Sequence, residues 1–309
     1  MQPIVAVCGP TASGKSALAL SLCRAFGGEI VSFDSMQIYR GMNIGTSKPT
    51  AEEQKEIPHH LIDICEPSEP FSVADFSAAA EAAVSDILSR GKVAVLCGGT
   101  GLYLDSFISR RDYGDVSSSD ELRDALSRFA KENGAGALHK MLEGLDEEAA
   151  AAIHENNVKR VIRAIEICKL TGMTKTEWDK KANSAPSRNI PVITMDFRNR
   201  NVLYNRINKR VDAMISAGLA DEAARLYAGG FLSDGTTASQ AIGYKEMLPY
   251  VKGEASLDEA AESLKLATRR YAKRQITWFK KYDGIRLYVD NYASQDELAA
   301  AAIKALGEV

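Results

Sequence analysis

A four-residue apolar run, Ile4-Val5-Ala6-Val7, leads through Cys8 into Gly9-Pro10-Thr11-Ala12-Ser13-Gly14-Lys15-Ser16, and an Ala/Leu-rich segment runs from Lys15 to Phe26. Strand, phosphate loop (G-x-x-x-x-G-K-[ST]) and helix thus follow in the order the motif's chemistry needs. Successive backbone N–H groups and a helix N-terminus must converge on one anion, and few folds supply that geometry. Gly9 and Gly14 permit the backbone path, Lys15 adds a cation, and the Ser16 hydroxyl can ligate Mg²⁺. A Gly-rich turn with a chance Lys-Ser pair is the plainer interpretation, and the strand before and helix after weigh against it. The loop says that something phosphorylated binds, but not what.

The segments that follow extend the pattern. Glu29 to Phe33 reads as a second strand, Val73 to Arg90 as a helix and Lys92 to Cys97 as a further apolar strand. Apolar strands joined by helices predict an α/β fold, a P-loop-NTPase-like parallel sheet with helices on both faces. The texture changes near Arg110. A loop is expected over 113–119, several helices from Asp120 to about Lys181, and a strand again over Ile190–Phe197. An inserted helical domain explains this order: a first core part over 1–112, the insertion over 113–187 and a mainly helical second core part over 188–309. Ser256-Leu257-Asp258-Glu259 is a capping box that opens a helix to about Lys281. Leu257, Ala261, Leu264, Ala267, Tyr271 and Trp278 recur along it at helical spacing and are expected to face the core.

An ATP-hydrolysing protein with such a loop usually has an apolar strand ending in a Mg²⁺-holding Asp. Lys92–Cys97 runs instead into Gly98-Gly99-Thr100-Gly101-Leu102-Tyr103. This disfavours a motor, GTPase or ATPase and leaves small-molecule kinases and rarer chemistries. Asp34, at the carboxyl end of the second strand, is expected to face the same crevice as the loop. There it could ligate Mg²⁺ through water or act as a general base. A helix cap or turn is its plainer role.

The 309 residues carry a formal net charge of -3, so any polyanion site must be a local basic patch. Between Lys265 and Lys281 there are seven Lys/Arg and no acidic residue, a run that on its own reads as a solvated helix face. The five cysteines, Cys8, Cys23, Cys65, Cys97 and Cys168, contain no C-x-x-C pair. Reduced, mostly buried thiols in a cytoplasmic protein are expected. His59-His60 lacks the company a zinc site needs. A strand beginning at Ile4 leaves no room for a leader peptide, and no apolar stretch reaches the length of a membrane span.

The segments GPTASGKS, DSMQIYRGMNIGTSKP (Asp34–Pro49), PHHLID (Pro58–Asp63), GGTGLY (Gly98–Tyr103) and KRQITWF (Lys273–Phe279) follow one another in this order. Together they resemble the tRNA dimethylallyltransferase family, in its shorter bacterial form without a C-terminal zinc finger. The resemblance implies transfer of a dimethylallyl group from dimethylallyl diphosphate to N6 of the adenosine 3′ of the anticodon. It implies Asp34 as general base, with Thr100 and Arg210 completing the catalytic set. The donor diphosphate would lie on Gly9, Pro10, Thr11, Ala12, Ser13, Gly14, Lys15 and Ser16, with Arg206 beside them and Mg²⁺ on Ser16.

For the tRNA, the resemblance implies contacts from Ser35, Met36 and Gln37 beside Asp34, and from Arg123, Lys159, Arg160 and Arg163 in the insertion. It adds Gln240, Gly243, Tyr244 and Lys245, then Lys273, Arg274, Gln275, Thr277, Trp278 and Lys280. A monomer is expected. Two alternatives stay open: an adenylate isopentenyltransferase acting on free nucleotide, for which the insertion and basic helix are superfluous, and an ATP-dependent small-molecule kinase.

Overall fold

Short runs of Val, Ile, Leu and Ala can form strands only if both sheet faces are covered, and that is how the chain folds. The computed structural model describes residues 3–113, 119–233 and 236–308; the loop expected over 113–119 lies largely outside them. Six strands, β1 (Ile4–Cys8), β2 (Gly28–Ser32), β3 (His59–His60), β4 (Val93–Gly98), β5 (Val192–Asp196) and β6 (Ile285–Tyr288), form one sheet ordered β3-β2-β4-β1-β5-β6. Every pairing is parallel. Strands β2 and β5 are buried at every position, the mark of a sheet covered on both sides.

Register sets the site. Cys8 lies opposite Gly98, and Ser32 opposite Cys97. The carboxyl ends of β1, β2 and β4 are therefore level. The phosphate loop, the Asp34 turn and the Gly98–Thr100 turn leave the sheet side by side.

One face is covered by α1 (Lys15–Phe26) and α14 (Gln295–Gly307), whose Leu18, Leu22, Leu298 and Leu306 pack with Val5, Val7, Ile30, Val95 and Ile193. Each such leucine contributes about 1.5–3 kcal/mol by leaving water. On β2 and β4 also packs α3 (Val73–Ser89), through Phe76, Ala80, Val84 and Ile87; its Ser72/Asp75 capping box fixes where it begins. A second apolar cluster joins α10 (Arg200–Ser216), α11 (Leu219–Ala228), α12 (Tyr244–Val251) and α13 (Leu257–Phe279) through Val211, Leu226, Tyr244 and Leu264.

The Ser256/Glu259 capping box opens α13 as the sequence predicts. Its buried face is not the expected one. Ala260, Leu264, Thr268, Ala272, Gln275, Ile276 and Phe279 are buried, whereas Leu257, Ala261, Ala267 and Tyr271 are partly exposed and Trp278 is exposed. A hydrophobic periodicity passes over Thr268 and Gln275. Both are buried beside their apolar neighbours, Gln275 with its side chain bonded to Thr11 and Gly99.

The chain divides into two units, 1–107 with 189–309 and a second one over Ile108–Arg188. The second contains α5 (Asp120–Asn133), α6 (Ala135–Glu143), α7 (Glu147–Ala152), α8 (Val158–Thr171) and α9 (Lys175–Ala182). Leu126, Leu138, Leu142, Val161 and Ile165 form its core. No helix among the described residues is long and apolar enough to cross a membrane.

A charged cluster ties the start of β2 to its neighbours. Glu29, 2% exposed, accepts from Arg90 (2.5 and 2.8 Å), Lys92 (2.7 Å) and the His60 ring (2.8 Å). The Arg90 guanidinium foremost, then Lys92 and His60, holds its carboxyl well below the usual range against opposing burial. A depressed carboxyl stabilises the fold above its unfolded value and loses that contribution as pH falls through the folded one. Glu29→Gln is therefore expected to cost about 3 kcal/mol near neutrality. Thermal unfolding checks this: the gap from wild type should narrow as pH is lowered below about 4.

Candidate active site

Between the carboxyl ends of β1, β2 and β4 and the helices α10 and α13 lies a cavity of about 310 Å³. Thr11, Lys15 and Ser16 line it from the phosphate loop, Asp34 to Gln37 from the β2 turn, and Arg210 from α10. The remaining wall is mixed: Ile30, Ile62, Val211, Met214, Ile242 and Leu264 share it with polar residues such as Thr46, Gln240, Tyr271 and Arg274. Of the other loop residues, Ser13 is buried and its hydroxyl donates to the Met195 sulfur. Ala12 takes a left-handed backbone (φ 61°), a conformation costly for a residue with a Cβ. Its carbonyl is held by Arg206 Nε at 2.8 Å. Arg206 is absent from the cavity wall and braces the loop from outside.

Lys15 and Arg210 are two of the three cations on this wall; the third, Arg274, is exposed on α13. Burial lowers Lys15 and Arg210 below their ordinary values, and the Asp34 charge opposes this in each. Among the described residues neither forms an ion pair; Lys15 Nζ reaches only the Pro10 carbonyl, at 3.5 Å. Two cations without ion-pair partners on one cavity make it a candidate for binding an anion. Burial pushes the neighbouring Cys97 thiol up to about 11, so it stays protonated. Burial also lowers His59, whose Nδ1 pairs with the Ile57 carbonyl at 2.7 Å, which keeps that cavity-lining imidazole neutral.

Asp34 is fixed by its own turn: Oδ1 accepts the Met36 N–H at 3.0 Å. Thr100 does not line the cavity. Its Oγ1 accepts the Ser35 N–H (3.0 Å) and donates to the Ser35 hydroxyl (3.2 Å), tethering the Asp34 turn to β4. Gln275 makes a comparable bridge from α13, accepting the Thr11 N–H (2.8 Å) and donating to the Gly99 carbonyl (2.9 Å). Only glycine fits at 101, where a Cβ would stand 2.2 Å from the Trp278 ring.

The residues expected on RNA fall into two groups. Lys159, Arg160, Gln240, Lys245, Lys273, Arg274, Thr277, Trp278 and Lys280 are exposed, with Arg274 and Gln240 also on the cavity wall. Gln275, Gly243 and Tyr244 are buried. In the helical unit, Arg123 (2.8 Å) and Arg163 (2.5 Å) are both paired with the fully buried Glu166. The Trp278 indole N–H donates to Asp105 at 3.1 Å, and Lys281 and Tyr282 share that carboxylate.

Sequence reasoning missed Asp196, an acid at the tip of β5 beside β1. Its oxygens are occupied by the Phe197 N–H (2.8 Å), Arg200 (3.1 Å) and Arg286 (3.4 Å). It also missed Tyr271 as a cavity residue, with its hydroxyl 3.4 Å from the Gly99 carbonyl. No short sequence pattern announces either pairing. All five cysteines are free and buried.

The fold is an all-parallel α/β sheet whose candidate site carries the phosphate-loop sequence after β1 and an acid, Asp34, in the turn after β2. The isopentenyl transferase family model matches residues 2–68, and the IPP transferase model matches residues 37–282. The chain belongs to the IPP transferase family. A tRNA dimethylallyltransferase of Thermoanaerobacter is 46% identical over 306 residues, 98% of this chain and 97% of that one. One from Halalkalibacterium halodurans is 49% identical over 280 residues, covering 90% and 88%. The crystal structure of a Bacillus halodurans tRNA isopentenylpyrophosphate transferase superposes with a TM-score of 0.69 at 44% identity, covering 99% and 97%. A eukaryotic dimethylallyltransferase described as acting on tRNA reaches 0.80 at 28% identity, covering 97% and 78%.

Proposed function

We propose that this chain transfers a dimethylallyl group from dimethylallyl diphosphate to the exocyclic N6 of adenosine 37, 3′ of the anticodon, in tRNA. The observation that carries the reading is the pair of partly buried cations, Lys15 and Arg210, without ion-pair partners among the described residues and facing Asp34 across one partly apolar cavity. The diphosphate would occupy the cationic end and the five-carbon group the apolar part of the wall. An adenine amino group is a weak nucleophile and needs close placement and a proton acceptor. As the new N6–C1 bond forms, the C1–O bond breaks, Asp34 takes the N6 proton, and Lys15 and Arg210 stabilise the departing diphosphate. A protonated Cys97 offers no competing nucleophile to the allylic carbon.

Among the described residues no three acidic, His or Cys side chains form a metal cage. The Ser16 hydroxyl on the cavity wall would be the protein's donor to a Mg²⁺ otherwise held by phosphate oxygens and water, which leaves Asp34 free as the base. When bound, Mg²⁺ would neutralise charge on the leaving diphosphate. The exposed cations of α13 and of the helical unit would take RNA phosphates, and the target base must leave its stack to reach Asp34. Five free buried thiols suit a reducing cytoplasm. The test is mass analysis of tRNA nucleosides after incubation with dimethylallyl diphosphate, with isopentenyladenosine as the expected product. Prenylation of AMP with none of tRNA, or phosphate transfer from ATP, would overturn the reading.

A further inference from the structure

We propose that Glu222 is a positioning residue of this active site: its carboxylate clamps together the two segments, 43–49 and 240–244, that shape the cavity beside Asp34. The proposal rests on the reaction proposed above. Glu222 lies on α11, 2% exposed, among the apolar side chains of Leu219, Ala223 and Leu226. Its oxygens accept three successive backbone N–H groups, Asn43 (3.1 Å), Ile44 (2.8 and 3.0 Å) and Gly45 (3.1 Å), and the Tyr244 hydroxyl at 2.6 Å. Three adjacent N–H groups form the concavity in which proteins bind external anions; here the chain fills it from within.

No cation forms an ion pair with Glu222 among the described residues, so these four donors must offset its desolvation. An apolar residue would suit a purely structural role at this position at less cost. What the acid adds is linkage. Beyond Gly45, the carbonyls of Thr46 and Ser47 accept from Gln37 Nε2 at 3.3 and 3.2 Å. Gln37 Oε1 in turn accepts the Ser32 hydroxyl at 3.0 Å, within the turn that presents Asp34. On the other side, Tyr244 is fully buried with its ring against Gly45, where a Cβ would stand 2.6 Å from it. Tyr244 ends the segment whose Gln240, Ala241 and Ile242 line the cavity.

One carboxylate thus fixes both wall segments, and it touches none of Thr11, Lys15 or Ser16. Glu222→Gln keeps the size and sets a carboxamide N–H against backbone donors. We expect single-turnover prenyl transfer to tRNA to fall about 10- to 100-fold, the scale of a small misplacement of reacting groups. Binding of dimethylallyl diphosphate to the free enzyme should be unchanged. Amide exchange should accelerate at Asn43, Ile44 and Gly45 and stay as in wild type in β1 and β4. Tyr244→Phe, which removes one donor of four, should give a smaller loss with the same signature and serves if Glu222→Gln does not fold.

A normal single-turnover rate in the folded variants would overturn the proposal. So would fewer active molecules with an unchanged rate per active molecule, the signature of a structural role. If wild type itself forms no isopentenyladenosine, the proposed function fails, and the exchange pattern alone decides whether the clamp exists.

Discussion

Replacing Asp34 by Asn is expected to lower prenyl transfer by about 10²- to 10⁴-fold, the usual contribution of a positioned general base. The change is nearly isosteric. Asn keeps the Oδ1 that accepts the Met36 N–H, so the turn, and with it the Thr100 tether to Ser35, has no reason to move. It removes the proton acceptor and also the carboxylate whose charge opposes the desolvation of both Lys15 and Arg210. Both cations should then face an incoming diphosphate with less internal competition. Donor binding should be equal or tighter while turnover collapses, and tRNA affinity should change little. Steady-state rates with separate donor and tRNA binding measurements check all three. Near-normal turnover would remove Asp34 from the role of base.

Part of this site is written in consecutive residues and part is not. The phosphate loop is local, since Gly9 to Ser16 must follow one strand and open one helix, and the structure keeps that order. Asp34 is legible because a parallel sheet exposes whatever follows the carboxyl end of a strand. Gln275 is different. Placed by resemblance among RNA contacts, it is buried and joins the loop to the β4 turn, a bridge that spans 264 residues from Thr11. Tyr244 is likewise turned inward, toward Glu222, an acid that a single helix presents without any sign of its three backbone partners. These junctions depend on α11, α12 and α13 packing together and meeting the turns that follow β1, β2 and β4 far away in sequence. Hydropathy assigns such polar residues to the surface, and hydrogen bonding returns them to the interior. Arg206, placed by resemblance beside the donor diphosphate, donates its Nε–H to the Ala12 carbonyl of the loop, a contact that no local pattern announces.

Lys15→Met is the second substitution expected to have a large effect. Removing one preorganised charge from a developing anion lowers turnover by about 10²- to 10³-fold. In the proposed reaction Lys15 would also touch the diphosphate in the ground state, so donor affinity should fall with it. The sign of the stability effect should be opposite. Burial disfavours the charged form of Lys15 in the folded protein, so a methionine of similar length relieves a desolvation cost in the empty enzyme. The variant should unfold at an equal or higher temperature than wild type, the expected trade at a site held strained for function. The pH dependence provides an independent check. A lysine lowered from its ordinary 10.5 loses its charge at a lower pH than an exposed one. Wild-type donor affinity should therefore weaken as pH rises through that lowered value, in a range where exposed lysines remain charged, and this step should vanish in Lys15→Met. A variant that binds donor normally, or that loses stability in proportion to activity, would show that Lys15 holds the loop together and leaves the leaving group to Arg210.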